Sequence, residues 1–242
     1  MKANPHRRRR SLALIIVGLV ISWVFFMQDA LPTQTEQSSS DAGTTNIVSN
    51  PTNSEALAID SLDQLDVKGR APNTGYARSE FGNGWADWKS CDTRQRILAR
   101  DLVDIMLGDD GCTVLSGTLN DSYTGKTIDF KRGSGTSSAV QIDHVVALSD
   151  AWRKGAQALS AEERLALAND DLELIAVDGT ANQQKSDGDA ATWLPSNKAF
   201  RCQYVARQIA VKIKYSLWVT QAEYDAMSRI LETCPDERLP SP

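Results

Sequence analysis

Four cysteines, Cys91, Cys112, Cys202 and Cys234, follow an N-terminal segment that reads as an export address. This combination constrains the fold more than any other feature, because an even set of thiols in an exported domain is a disulfide framework. Residues 7–10 are all arginine, and residues 11–27 (SLALIIVGLVISWVFFM) carry no charge. A basic block followed by an apolar run is the order of an export signal, with the arginines left inside. A cleaved signal usually has an apolar stretch of about 7–15 residues and an Ala-x-Ala site. The 17-residue run here is longer, and Met27-Gln28-Asp29-Ala30 is a poor cleavage site. The run therefore favours an uncleaved N-terminal membrane anchor over a cleaved, secreted form, and either places the remainder outside the cytoplasm. Four cysteines allow three pairings. The sequence-local one, Cys91–Cys112 with Cys202–Cys234, is favoured because each bridge ties one helix-bearing segment to its neighbour. A zinc site built from all four thiolates is the rival, but no Cys-x-x-Cys pair supports it.

Residues 1–27 thus form a basic tail plus signal or anchor helix. Residues 28–54 are rich in Ser, Thr, Asn and Gln, with Pro32 and Pro51, and read as a disordered spacer. Residues 55–242 suit one domain with a real core. Residues 1–27 carry five basic side chains and no acid, so a net charge of −5 for the chain leaves −10 beyond residue 27. A tight, charge-driven nucleic-acid binder does not have that balance. Any nucleic-acid contact must come from a local basic patch and be sensitive to salt.

Periodicity predicts a mixed α+β domain, mostly helical. Ser54 caps a short helix carrying Leu57, Ala58, Leu62 and Leu65. Residues 69–90 form a glycine-punctuated loop whose Tyr76, Phe81, Trp85 and Trp88 fold onto the core. A helix spans 93–107, with Ile97, Leu98, Leu102, Ile105 and Met106 on one face. Strands follow at 113–119, 126–130 and 140–143, then helical segments at 147–154 and 161–167. A strand covers 172–177, a helix starts near Ala181, and a long helix runs from 197 to 218. Thr220 opens the last helix, with Glu223 three residues on as a capping box.

Within this frame Asp143-His144 stands at a strand end, and Asn182-Gln-Gln-Lys185 begins 38 residues after the histidine. His144 is the only histidine outside the basic tail, so a base working near neutral pH falls to it. Asp143 offers a hard oxygen ligand beside that base. A Ser-His-Asp triad lacks its Gly-x-Ser-x-Gly elbow. A cysteine nucleophile conflicts with four oxidised thiols, and a zinc hydrolase would need more histidines.

Ile142-Asp143-His144-Val145-Val146-Ala147-Leu148 resembles the first element of HNH endonucleases. Asn169-Asp170-Asp171-Leu172-Glu173-Leu174 resembles the middle element. Ala181-Asn182-Gln-Gln-Lys185-Ser-Asp187-Gly-Asp189, followed by Trp193-Leu194-Pro195, resembles the third. The match is closest to the exported branch of the GmrSD-type HNH nucleases and extends over about residues 69–234. The resemblance implies a disulfide-stapled domain around a small ββα-metal core. It implies His144 as general base, and Asp143 and Asn182 as holders of one divalent ion. That ion is Mg²⁺ in the first place, with Mn²⁺ or Zn²⁺ as alternatives. It places Lys185 near the scissile phosphate and implies a nucleic-acid substrate, DNA first, with little sequence preference. Arg94 is a further candidate for substrate binding. One departure matters: Glu173 stands where the family has an Asn that fixes the histidine loop. Glu173 could hold that loop as an acceptor, orient His144 or add a metal ligand. A second reading, a catalytically degenerate extracellular binding module on the same fold, rests on Glu173 and on the acidic charge.

Overall fold

The computed structural model describes residues 56–240. The tail, the apolar run, the spacer and the Ser54 cap lie outside the described residues. Among the described residues no helix is long and apolar enough to cross a membrane.

Seven helices and seven strands are present among these residues: α1 (Ala58–Leu62), β1 (Asp87–Trp88), β2 (Cys91–Asp92), α2 (Thr93–Asp101), β3 (Leu102–Leu107), β4 (Val114–Asn120), β5 (Thr127–Lys131), β6 (Val140–His144), α3 (Leu148–Arg153), α4 (Ala161–Ala168), β7 (Leu174–Asp178), α5 (Gly179–Lys185), α6 (Arg201–Lys214) and α7 (Gln221–Leu231). The fold is thus mixed helix and strand, pinned by the two sequence-local bridges Cys91–Cys112 and Cys202–Cys234. Their Cα–Cα spans are 5.5 and 6.5 Å. Closing loops of this size restricts the unfolded chain by about 3–4 kcal/mol per bridge. With all four thiols paired, the four-thiolate zinc alternative is ruled out.

The predicted helix over 93–107 stops at Asp101. Leu102–Leu107 turns into β3 and pairs with β4, Leu102 opposite Leu119. Asp104 takes a positive φ of 52° in the irregular stretch between Val103 and Met106. Cross-strand pairing and two β-branched residues, Val103 and Ile105, override the helical spacing. The predicted helix 197–218 contracts to α6, preceded by a short 3₁₀ turn at Lys198–Phe200. Thr220 does cap α7 through the Glu223 amide at 3.2 Å. The Glu223 side chain does not close the box, because it is drawn into the core by two lysines. A full capping box forms instead at Ser160 and Glu163, at the start of α4.

The site is positioned by β6 and β7, an antiparallel pair with Asp143 opposite Ile175 and His144 opposite Leu174. Side chains of a strand alternate between faces, and here both faces are buried. Ile175 and Val177 join a large core with α1, α3, α6 and α7. Leu174 and Ala176 join a smaller one with Val140, Ile142, α2 and the β3–β4–β5 sheet. The next element, α5, follows β7 without a loop and is capped by Asp178, which accepts from the Ala181 amide at 2.7 Å. Gly179 opens α5 because a Cβ there would stand 2.0 Å from the Ser138 carbonyl oxygen. That close approach draws α5 down onto the entrance to β6.

Candidate active site

Asp143, His144 and Asn182 line one pocket of about 470 Å³, together with Arg78, Arg94, Gln141, Gln183 and Ser186. The end of β6 supplies the first two and the middle of α5 supplies Asn182. Asn182 lies inside α5, whose N-cap is Asp178.

His144 is nearly enclosed. Its Nε2 lies 3.0 Å from the Ala168 carbonyl oxygen, which can only accept, so Nε2 carries the proton. The Nδ1 lone pair is left for other chemistry. One ring face stacks on Trp85 at 5.6 Å and an interplanar angle of 7°. Burial first, and the positive charge of Arg78 second, push the imidazole pKa down to about 3. The ring is therefore neutral at physiological pH, the form that accepts a proton.

Asp143 is held from two sides. Tyr123 Oη donates to Oδ2 at 2.5 Å, and Lys185 Nζ donates to Oδ1 at 3.0 Å. Tyr123 is fixed in turn by Trp193 at 4.9 Å and Tyr204 at 5.6 Å between ring centroids. This gives the Trp193-Leu194-Pro195 segment its place in the core. Burial raises the carboxyl pKa of Asp143, against the opposing pull of Lys185 and Tyr123. Asn182 Nδ2 donates to Gln141 Oε1 at 3.0 Å, and among the described residues Asn182 Oδ1 has no hydrogen-bond partner.

Two expectations change. Lys185 does not lie at an open phosphate position. It is buried, and its ammonium donates to Asp143 and, at 2.7 Å, to the His144 carbonyl. The helical spacing that puts Lys185 one turn after Asn182 turns it under β6. Glu173 neither lines the pocket nor orients the imidazole. It is fully buried and accepts from the Val146 amide at 3.2 Å through Oε2, while Oε1 has no hydrogen-bond partner among the described residues. It thus fixes the histidine loop, and burial pushes its pKa well above the usual carboxylate range. Arg94 does reach the pocket, half-buried and donating to the Val140 carbonyl at 3.3 Å. The basic residues of α6 do not: Arg207 caps the carbonyls of Asp171, Leu172 and Leu174, and Lys214 pairs with Asp170 at 2.6 Å.

Sequence reading missed Arg78, Trp85, Tyr123 and Gln141 as parts of the site. Only Gln141 carried a usable signal, sharing a strand face with Asp143 two residues on.

The oxygen donors of the pocket fit a hard divalent cation. Asp143 keeps a second lone pair on each oxygen, and Asn182, which lines the same pocket, carries an amide oxygen. A second acidic group does not fit one. Asp150, Asp189 and Glu223 bring oxygens within 4.8 Å of one another. Lys154 Nζ already sits among them at 2.8, 2.8 and 2.6 Å, and Lys212 Nζ lies 3.1 Å from Glu223. Ammonium groups fill the place a metal would take.

A protein of Arthroderma benhamiae named "Uncharacterized secreted protein" is 36% identical over 183 residues, covering 75% of this chain and 86% of the relative. No solved structure matches the chain. Residues 92–230, which contain Asp143, His144, Glu173, Asn182 and Lys185, match the C-terminal domain of the GmrSD restriction endonucleases, and the chain belongs to that family.

Proposed function

We propose that this protein is a metal-dependent, extracytoplasmic endonuclease of the HNH type that hydrolyses phosphodiester bonds in DNA with little sequence preference. On this reading β6, β7 and α5 are the ββα-metal core. The observation that carries it is the convergence of Asp143, His144 and Asn182 on one pocket, with the imidazole locked as the Nε2–H tautomer. The family match supports a nuclease. The secreted relative and the two disulfides support a place outside the cytoplasm.

His144 Nδ1 takes a proton from a water aligned with the scissile phosphorus. The hydroxide oxygen bonds to phosphorus as the bond to the leaving 3′ oxygen breaks. Asp143 and Asn182 would hold one divalent ion, Mg²⁺ first, through their oxygens and waters. When bound, such an ion lowers the charge on the phosphate and stabilises the leaving oxygen. Trp85 and the Ala168 carbonyl hold the imidazole plane and tautomer fixed. Tyr123 and Lys185 hold the Asp143 carboxylate. Glu173 and the Val145–Val146 backbone hold the loop that follows the histidine. Low sequence preference fits a substrate held through its backbone phosphates.

The test is nicking of supercoiled plasmid by the full chain kept oxidised, with Mg²⁺, with Mn²⁺ and with EDTA, beside His144→Ala. Metal-dependent nicking that disappears in His144→Ala is the expected result. A folded protein that never cleaves DNA would overturn the reading and favour a binding module on this fold.

A further inference from the structure

A phosphate entering this pocket needs a positive partner, and Lys185 is spent on Asp143 and the His144 carbonyl. The pocket has two guanidinium groups, Arg78 and Arg94. They differ in kind. Arg94 is half-buried and tied to the Val140 carbonyl. Arg78 is exposed and has no hydrogen-bond or ion-pair partner among the described residues. Most other described arginines are engaged: Arg70 by Asp189, Arg96 by Asp171, Arg100 by Asp101, Arg153 by Asp187 and Arg164 by Glu80. An uncommitted guanidinium beside a buried histidine, in a chain this acidic, carries its desolvation cost only when an anion arrives.

The backbone beneath Arg78 is fixed although its head group is free. Arg78 opens a 3₁₀ turn that ends at Phe81. Phe81 is buried against Tyr76 and Trp152 at ring-centroid distances of 6.4 and 6.2 Å. Arg164 Nε clamps the turn by donating to the Glu80 carbonyl at 2.9 Å. Gly82, with φ of 105°, turns the chain away towards Trp85, which stacks on His144. The segment that covers the imidazole is therefore the segment that delivers the arginine.

We propose that Arg78 is a phosphate-binding residue, donating its paired N–H groups to the non-bridging oxygens of the diester held over His144, with Arg94 as a second, fixed contact. This rests on the nuclease reading for the ligand and deepens it by naming the cation that meets the substrate. A guanidinium fork matches phosphate oxygens in pairs, where an ammonium meets them as a point charge.

The experiment measures binding of a short fluorescein-labelled DNA duplex to the full chain in EDTA, by anisotropy, over a series of KCl concentrations. Wild type, Arg78→Ala, Arg78→Lys and Arg229→Ala are compared. Arg229 is an exposed arginine of α7 outside the pocket lining. Removing one protein–phosphate ion pair lowers the slope of log affinity against log salt by about 0.9. Arg78→Ala is expected to weaken binding about tenfold at low salt and to show one such step of slope less than wild type. Arg78→Lys is expected to keep the slope with part of the affinity gone, and Arg229→Ala to match wild type. Thermal melting checks that Arg78→Ala folds as wild type. A wild-type slope in Arg78→Ala, or no DNA binding by wild type, overturns the proposal. Metal-dependent nicking with an unchanged slope would sink the Arg78 assignment and leave the nuclease. An Arg78-dependent slope without nicking would sink the nuclease and leave the phosphate site.

Discussion

Lys185 donates to Asp143 Oδ1 at 3.0 Å and to the His144 carbonyl oxygen at 2.7 Å, so the lysine of the Asn-x-x-Lys motif is a strut beneath the metal-ligand candidate. Both partners are buried. Removing one member of a buried, hydrogen-bonded charge pair costs about 3–5 kcal/mol. Lys185→Met should therefore lower the melting temperature sharply as well as abolish cleavage. A variant as stable as wild type but slow in cleavage would instead place Lys185 at the phosphate.

His144 should remain neutral from pH 8 down to about 4, because burial and Arg78 push its pKa down to about 3. The chain has only one other histidine, His6, so histidine-selective NMR gives two signals and a clean assignment by His144→Ala. The expected spectrum shows the Nε2–H tautomer at neutral pH. Trp85→Ala opens one face of the ring to water and should raise the pKa. Titration of wild-type His144 near its ordinary value would contradict the buried, stacked geometry.

Glu173 should make the protein less stable as pH rises. Its folded pKa lies well above 4.5, so the folded state keeps a proton that the unfolded chain releases above that value. Stability contributed by this group is full below about pH 4.5. It falls by up to about 1.4 kcal/mol per pH unit as pH climbs towards the folded pKa. Glu173→Gln keeps the shape and the acceptor for the Val146 amide without the titration. Urea unfolding at several pH values should show the variant matching wild type in acid and exceeding it at pH 8. Parallel curves for the two proteins would refute a neutral Glu173.

Asp189 works with the opposite sign. Its ion pairs with Lys154 and Arg70, at 2.8 and 2.6 Å, hold its pKa at about 2 although burial opposes this. The contribution is present above the unfolded value near 3.8 and disappears as pH falls through about 2. It amounts to about 2 kcal/mol. Asp189→Asn should be destabilised at pH 7 and should show a smaller drop in stability than wild type between pH 4 and 2. Equal acid sensitivity of the two would show that other carboxylates dominate acid unfolding.

The strand end carrying Asp143-His144, the strand at 172–177 and the helix carrying Asn182 were legible because each is local. Alternating apolar residues mark β6, a short apolar run marks β7, and Asp178-Gly179 marks the turn into α5. The error over 102–107 has the same origin. Leu102, Ile105 and Met106 fit a helix face, and only the partner strand β4 turns them into β3. For Lys185, spacing gives the distance from Asn182 along the helix and so suggests a phosphate partner. Spacing does not say whether that flank of the helix meets solvent or the underside of β6.

The sequence by itself determined the chemistry on offer and its covalent frame: one histidine beside one aspartate, an amide one helix away, and four cysteines that pair with their nearest neighbours. Each is a property of residue type or of short separation along the chain. Only the tertiary structure decided how that chemistry is tuned. Arg78 and Trp85 reach His144 from more than fifty residues upstream, Tyr123 holds Asp143 from another loop, and the Ala168 carbonyl selects the tautomer. Charge, burial and hydrogen-bond direction depend on through-space neighbours, and those are set by the packing of β6, β7 and α5 against two separate cores.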